Sequence, residues 1–176
     1  MIIYPWLITW TTYGTWLPGD KRGFVTGVQN PQEIRVTHNQ PDTLYLEDMP
    51  GLENYSKNLL KNEPVWLTLL EANTLLKQFH ETAEIRSYNL QAVAILANHV
   101  HLVVNAKDKI KAALFLKDFK SYGSRVLNRS SDLTKNPRRW WTSSGSARFL
   151  GSETATQCAI DYVRNQKNPL LIWIQE

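Results

Sequence analysis

The sequence predicts an α+β fold in which helices pack on a ferredoxin-like antiparallel sheet. The alternating segment 5–12, rich in aromatic and β-branched residues, is typical of a strand. A helical segment follows over 68–86, and then two apolar segments, 88–97 and 99–105, which favour two strands joined by a tight bend. A second long helix is predicted over 109–129. Strand, helix, strand, strand, helix is the order that a ferredoxin-like arrangement requires.

The periodicity and the first turn support the helix over 68–86. Its apolar positions recur at intervals of three and four residues: Leu69, Ala72, Leu76, Phe79 and Ala83. Thr68 and Glu71 have the spacing of a capping box. The helix over 109–129 has the same periodicity, and Asp108 precedes it as a candidate N-cap.

The remaining segments complete a single predicted domain over residues 1–176. Repeated turn signals predict a long loop over 13–62, and a polar, basic loop is predicted over 130–150. A third helix over 153–167 should end at Asn168-Pro169, because the residue before a proline disfavours the helical conformation. The apolar "LLIWI" then predicts a short final strand.

Composition excludes several classes of protein. No apolar run approaches 18 residues, which excludes a membrane span. The apolar start lacks the basic region of a secretory signal, so we expect a strand there rather than a leader. The lone Cys158 cannot form an internal disulfide or a cysteine-based zinc site, and it fits a reducing, cytoplasmic location.

The distribution of charge is uneven along the chain. The whole chain carries +4, whereas residues 117–139 hold seven basic and two acidic side chains, a local +5. Residues 40–63 are predominantly acidic. A basic segment of this kind is typical of a polyanion-binding surface. A solvated helix face is the equally simple alternative.

Two of the four histidines lie one residue apart in "LANHVHLVVN". Side chains at i and i+2 of a strand point to the same face, and the two Cα atoms are roughly 6.5 to 7 Å apart. His99 and His101 should therefore project together. Two imidazoles at this spacing can share a divalent metal and leave positions open for water or substrate. The alternative is a pair of strand histidines hydrogen-bonded to backbone or water.

The helix over 109–129 contains "FKSYGSR", with Tyr122 on or beside an apolar stripe. Gly123 is costly in a helix interior and could admit the close approach of a backbone or a substrate. Lys120 and Arg125 flank the tyrosine, as phosphate-binding groups would. A phenol near a metal and cationic groups can attack a phosphodiester, whereas periodicity alone favours a core tyrosine.

The segment "RRWW" joins the guanidinium groups of Arg138 and Arg139 to the indoles of Trp140 and Trp141. Unpaired bases stack on aromatic rings while arginines follow phosphates, so the segment is a candidate surface for single-stranded DNA. The alternative is a small tryptophan core under a loop with exposed arginines. Trp16 is a weaker candidate of the same kind, and nearby Asp20 is better explained by a turn.

The combination of motifs resembles the HUH single-tyrosine transposases, more narrowly the REP-associated tyrosine transposases of the IS200-like group. The resemblance rests on "NHVHLVV", "KSYGSR", "TWLPGD.RG", "RRWW" and "GSARFL". It implies the IS200-like fold, with His99 and His101 as ligands of Mg²⁺ or Mn²⁺ and Tyr122 as the nucleophile. It also implies a hairpin-forming, REP-like single-stranded DNA as partner, cleaved to a 5′-phosphotyrosine by a monomer or a homodimer.

One position departs from this resemblance. Related enzymes often supply a third, polar metal ligand one helical turn after the tyrosine, where this chain has Val126. Asn128 should point away, about 240° round the helix from Tyr122. Gln91 on the neighbouring strand is one replacement. The departure leaves open a domesticated, catalytically weak DNA-hairpin-binding protein, and Tyr88, Tyr13 and Tyr162 are the next candidate nucleophiles.

Overall fold

The computed structural model of the chain describes residues 5–22, 27–29, 35–37, 49–107, 110–133 and 135–176. These residues form two compact units, 14–64 and the remainder of the chain. The helices and strands are β1 (Trp6–Thr11), β2 (Gly27–Gln29), β3 (Arg35–Thr37), α1 (Pro50–Asn58), α2 (Leu69–Arg86), β4 (Tyr88–Ile95), β5 (His99–Ala106), α3 (Ala112–Ser130), β6 (Ser146–Phe149), α4 (Glu153–Arg164) and β7 (Leu171–Ile174).

The larger unit contains a five-stranded sheet in the order β6-β1-β5-β4-β7, with every neighbouring pair antiparallel. Its first four strands have the ferredoxin-like order, so the predicted fold class is confirmed. The strand β6 lies inside the segment 130–150 that the sequence predicts as a loop, and the structure corrects that prediction. Only four residues form β6, which is too few for a clear alternation signal.

The two faces of the sheet carry different helices. Trp10 of β1 contacts Phe79 of α2, and Phe79 contacts Phe119 of α3, with ring centroids 5.8 and 5.5 Å apart. We call this side the α2–α3 face. Ala92, Ala94 and Val103 point the other way and pack against α4 in a second apolar cluster. We call that side the α4 face. Because side chains alternate along a strand, each residue of β5 belongs to one face only.

Local signals set the ends of the helices. Thr68 and Glu71 form the predicted capping box at the start of α2, where the Thr68 hydroxyl accepts a hydrogen bond from the Glu71 N–H. Ser152 caps α4 in the same way by accepting from the Ala155 N–H. Asp108, the predicted cap of α3, lies outside the described residues, and α3 begins at Ala112.

The smaller unit holds part of the segment that the sequence predicts as a long loop. The strands β2 and β3 pair antiparallel, and α1 is a nine-residue helix with Pro50 at its start. Arg22 stabilises the turn that precedes β2. It donates a hydrogen bond to the buried Asp20 carboxylate, and its guanidinium lies over the Trp16 ring. The hydrogen bonds from Arg22 hold the pKa of Asp20 below its ordinary value. Asp20 therefore organises a turn, as its neighbours predict.

No helix among the described residues is both long enough and apolar enough to cross a membrane.

Candidate active site

The histidine pair lies on β5 between two strands. His101 pairs with Thr9 of β1 and Ala94 of β4, and His99 pairs with Thr11. The two imidazoles project from the same face, as predicted, with ring centroids 4.8 Å apart and nearly perpendicular planes. Since Ala94 belongs to the α4 face, the histidines lie on that face too.

Hydrogen bonds orient both rings. The carboxamide oxygen of Asn98 can only accept, so His99 donates to it from Nδ1 over 2.6 Å. Nδ1 of His101 lies 2.7 Å from the hydroxyl oxygen of Thr9. With its proton on Nδ1, His101 donates to Thr9, and its Nε2 keeps a lone pair. Partners of this type fix the tautomer of metal-binding histidines.

His101 is held neutral by its surroundings. The residue is 4% exposed, and its Nε2 atom is buried with no hydrogen-bond partner among the described residues. Burial, followed by the neighbouring charge of His99, lowers the pKa of His101 to about 3. A neutral imidazole with an unpaired nitrogen is the form that binds a metal.

A tyrosine from α4 covers the histidine pair. The ring centroid of Tyr162 lies 5.2 Å from that of His101, with the two planes nearly perpendicular. Tyr162 is 51% exposed, so the phenol is open to a large substrate. Gln166 follows four residues later and donates from Nε2 to the Tyr162 carbonyl over 3.0 Å, which holds its carboxamide against the end of α4.

Tyr122, the sequence-predicted nucleophile, is not brought to the histidines. It lies on α3, which packs on the opposite face of the sheet. Its hydroxyl accepts from Arg86 of α2 over 3.4 Å, and Arg125 lies over its ring at 5.1 Å. Arg86 also forms an ion pair of 3.1 Å with Asp118, which is buried. Tyr122 therefore belongs to a polar network between α2 and α3.

The other candidate tyrosines have structural roles. Tyr88 donates to the Asp118 carboxylate over 3.0 Å, and burial with this hydrogen bond raises the pKa of Tyr88 to about 12. Tyr13 is buried beneath the guanidinium of Arg139.

Gly123 and Lys120 also serve packing on the α2–α3 face. A Cβ on Gly123 would lie 3.1 Å from Leu75 of α2, so the glycine admits a neighbouring helix rather than a substrate. Lys120 donates from Nζ to the carbonyls of Thr142 and Ser144 over 2.7 and 2.9 Å. Burial, with a smaller effect of the Arg139 charge, lowers the pKa of Lys120 to about 8. These bonds correct the interpretation of Lys120 as a phosphate-binding side chain.

Both indoles of "RRWW" are buried. Trp140 is 1% exposed and donates from Nε1 to the Asn128 carboxamide over 2.8 Å. Trp141 donates to the Lys120 carbonyl over 3.0 Å and contacts Trp10 edge to face. A buried ring cannot stack on a base, which corrects the prediction of a stacking surface. The alternative of a tryptophan core is what the structure contains.

The arginines of the basic segment are exposed. Arg138 lies over the outer side of Trp140 at 5.3 Å, and Arg139 lies over Tyr13 at 5.1 Å. Arg125, on α3, is exposed as well. Their charged groups are available to a polyanion, so their predicted role in DNA binding stays a prediction.

None of the three residues considered as a third metal ligand lies at the histidine pair. Gln91 lies at a β-bulge of β4 beside Val104, three residues along β5 from His101, and not at the histidines. Val126 is on α3, on the opposite face. Asn128 accepts hydrogen bonds from the Arg138 N–H and the Trp140 indole, so its carboxamide is turned toward that loop and not toward the histidines.

The donor set fits a divalent metal with open positions. No group of three or more His, Cys, Asp or Glu side chains in the described part of the chain could hold a metal. The imidazoles of His99 and His101 nevertheless supply two neutral nitrogen donors side by side, and such a pair leaves coordination positions open for oxygen ligands. The unpartnered Nε2 of His101 is the observation that supports this fit.

The site pairs two strand histidines with a helix-borne tyrosine on one face of a ferredoxin-like sheet, an arrangement suited to phosphodiester chemistry. The sequence model of the family described as "Transposase IS200 like" matches residues 56–166, which is more than half of the chain. The chain therefore belongs to the IS200-like transposase family. No curated protein matches it.

Two solved structures are similar to this chain. One is a REP-associated tyrosine transposase bound to a REP hairpin, with 10% identity and a TM-score of 0.48 over 91% of this chain and 64% of that one. The other is a candidate transposase from Deinococcus radiodurans R1, with 15% identity and a TM-score of 0.48 over 96% and 94%. The chain thus spans 64% of the length of the first structure.

From the sequence alone, Tyr162 is only a further candidate nucleophile, and Gln166 has no predicted role. A usable signal was present, because the resemblance expects a polar side chain one turn after the nucleophile. Gln166 meets that expectation for Tyr162, whereas Val126 does not meet it for Tyr122. The basic residues that flank Tyr122 nevertheless favour it over Tyr162 when only the sequence is considered.

Proposed function

We propose that this transposase cleaves and rejoins single-stranded DNA at hairpin-associated sites through a 5′-phosphotyrosine on Tyr162. The observation that carries the proposal is the contact between Tyr162 and His101, whose ring centroids lie 5.2 Å apart. A half-exposed phenol beside a pair of oriented imidazoles has the groups that nucleophilic attack on a phosphodiester needs. Membership of the family supports DNA as the substrate.

The cleavage step conserves the energy of the broken bond. The phenolic oxygen of Tyr162 attacks the phosphorus of a phosphodiester, and an oxygen–phosphorus bond forms while the bond from phosphorus to the 3′ oxygen breaks. The phenol loses a proton and the leaving 3′ oxygen takes one up. The products are a 5′-phosphotyrosine and a free 3′-hydroxyl. Attack by a 3′-hydroxyl on the phosphotyrosine reverses the step and rejoins a strand.

His99, His101 and Gln166 would hold the divalent metal, Mg²⁺ or Mn²⁺. When bound, such an ion polarises the scissile phosphate and stabilises the charge that develops on it. The chain contributes orientation and protonation state. Asn98 sets the tautomer of His99, Thr9 orients the ring of His101, and burial keeps His101 neutral. The exposed Arg125, Arg138 and Arg139 would bind phosphates further along the DNA.

Two matched variants test the nucleophile. Tyr162→Phe and Tyr122→Phe each remove one oxygen and should change the free energy of unfolding by about 1 kcal/mol or less. We expect parent and Tyr122→Phe to form a covalent protein–DNA adduct on REP-like hairpin single-stranded DNA with Mn²⁺, read on a denaturing gel. Tyr162→Phe should form none and still bind the DNA.

The opposite pattern, with adduct lost in Tyr122→Phe and kept in Tyr162→Phe, would return the nucleophile to α3. A parent that binds hairpins but forms no adduct with Mg²⁺ or Mn²⁺ would favour the alternative of a hairpin-binding protein that does not cleave. That alternative rests on Val126, which follows Tyr122 by four residues; if Tyr162 is the nucleophile, Gln166 stands at the corresponding position.

A further inference from the structure

A second polar site lies on the α4 face, at the opposite end of α4 from Tyr162. A cavity of about 420 Å³ opens there, a volume within the usual range of small-molecule sites. Its lining includes Gln91 of β4, Asn105 of β5, Phe149 of β6 and Thr156 of α4. None of these residues is used by the proposed cleavage step.

Two carboxamides in this cavity have unpaired oxygens. Asn105 is 8% exposed, and neither its Oδ1 nor the Oε1 of Gln91 has a hydrogen-bond partner among the described residues. A buried polar atom without a partner destabilises the folded protein, so such atoms are usually paired or await a ligand. Two of them in one cavity point to a ligand with hydrogen-bonding edges.

A β-bulge brings Gln91 to this face. The pairing of β4 with β5 shifts register between Leu90 and Ala92, which leaves Gln91 as the extra residue. Leu90 and Val93 flank it on the other face by alternation, whereas Gln91 lines the same cavity as Asn105. A bulge re-aims one side chain at the expense of ladder hydrogen bonds and often lies beside a functional site.

The chemistry of the lining selects a nucleobase over an anion. A carboxamide offers a donor and an acceptor side by side, the pattern that Asn and Gln use to bind the N6 and N7 edge of adenine. The carboxylate of Glu153 also lines the cavity and disfavours a phosphate. Phe149, 49% exposed and in edge contact with Trp6 at 5.3 Å, adds an aromatic surface on which a base can stack.

We propose that the Gln91–Asn105 cavity binds one unpaired nucleobase, adenine, of the single-stranded DNA on which this enzyme acts. The inference rests on the proposed function for the identity of the polymer and names a specificity site within it. Asn105 lies four residues from His101 on the same face of β5, about 13 Å along the strand. A base bound there would lie on the same DNA strand as the bond that Tyr162 attacks.

The test measures base preference by fluorescence anisotropy. The probes are an oligo-dT and the same oligo-dT with one central dA, dC or dG, because a uniform background lets the protein choose the register of the single base. We expect the dA probe to bind the parent about tenfold more tightly than oligo-dT. Gln91→Met and Asn105→Leu should each reduce this preference to about twofold or less.

The control is Gln157→Met. It removes the exposed carboxamide of the residue that follows the cavity-lining Thr156 in α4, and the variant should keep the dA preference. All three substitutions are uncharged, so the salt dependence of binding should match the parent's in each. Should Asn105→Leu fail to fold, the less buried Gln91→Met decides alone.

Equal affinity of the parent for all four probes would overturn the proposal, as would a dA preference that survives in Gln91→Met. Loss of the adduct on Tyr162 with an intact dA preference would refute the proposed cleavage and leave the base site standing. If the parent forms the adduct on Tyr162 but shows no base preference, the base site is refuted and the proposed cleavage stands.

Discussion

Tyr122 and Tyr162 lie in helices on opposite faces of one sheet, and their surroundings differ in kind. Tyr122 contacts Arg86 and Arg125 in a network that joins α2 to α3. Tyr162 is half-exposed and touches the ring of a neutral, buried histidine. Basic neighbours in the sequence did not bring Tyr122 to the histidines, and the contact with His101 across the tertiary structure is the reason that we propose Tyr162 as the nucleophile.

The same contrast separates the two faces as wholes. On the α2–α3 face, aromatic side chains fill the space between helices and sheet, and a buried atom there without a hydrogen-bond partner among the described residues is an indole nitrogen, Nε1 of Trp10. On the α4 face, polar atoms of His101, Gln91 and Asn105 are buried without partners among the described residues. The two faces therefore differ in the chemistry of their buried groups: aromatic rings on one, and imidazole and carboxamide groups that can bind a metal or a ligand on the other.

The largest effect that sharpens this comparison is expected from Trp140→Ala. Its indole is 1% exposed on the α2–α3 face, so truncation should lower the free energy of unfolding by about 3–5 kcal/mol. Urea unfolding measures the change. A substitution of Trp140 that reduced single-strand affinity and left stability intact would restore the sequence prediction of a stacking surface.

A smaller effect is expected from Gln166→Ala, which changes the residue four positions after Tyr162. The matched control is Val126→Ala, which changes the residue four positions after Tyr122. Loss of a metal-binding oxygen should raise the Mn²⁺ concentration for half-maximal adduct formation about 10- to 100-fold, by analogy with other losses around metal sites. Val126→Ala should leave it unchanged. A larger requirement in Val126→Ala than in Gln166→Ala would favour α3 as the reactive helix.

The smallest effect concerns Lys120→Met. The pKa of Lys120 is about 8 in the folded protein and about 10.5 in the unfolded chain. Between these values the unfolded chain binds more protons, so the parent's stability should rise with pH through this window. The variant should lack that rise and lose about 1 kcal/mol from two missing hydrogen bonds.

Urea unfolding of both proteins from about pH 7.5 to about pH 10 checks the Lys120 prediction. If the stabilities of parent and variant change with pH in parallel, the Lys120 ammonium is solvated. If Lys120→Met instead flattens the salt dependence of DNA binding, Lys120 contacts a phosphate.

The long, periodic segments could be predicted from sequence because each carries its own signal. The capping box of Thr68 and Glu71, and the alternation of Trp6–Thr11, are local properties of the chain. The short elements could not be predicted so well. Ser146–Phe149 becomes a strand because β1 offers a free edge, and this partner is distant in sequence.

The site was predicted in part for the same reason. His99 and His101 share a face by strand geometry alone, which needs no knowledge of other elements. The partnership of His101 with Tyr162 depends on how α4 crosses the sheet, and sixty-one positions separate the two residues in the sequence. The burial of Trp140 likewise depends on a contact with Asn128 that no local pattern encodes.

The helix α4 has a further consequence as a molecular ruler. Glu153 and Tyr162 are nine residues apart in this helix, which corresponds to about 14 Å at the standard rise. The underlying strand spans a similar length between Asn105 and His101, about 13 Å. With a base held at one end and the phenol at the other, the cut would fall a constant number of nucleotides from the recognised base. The offset would be set by the length of one helix and would change only if residues were added to it or removed.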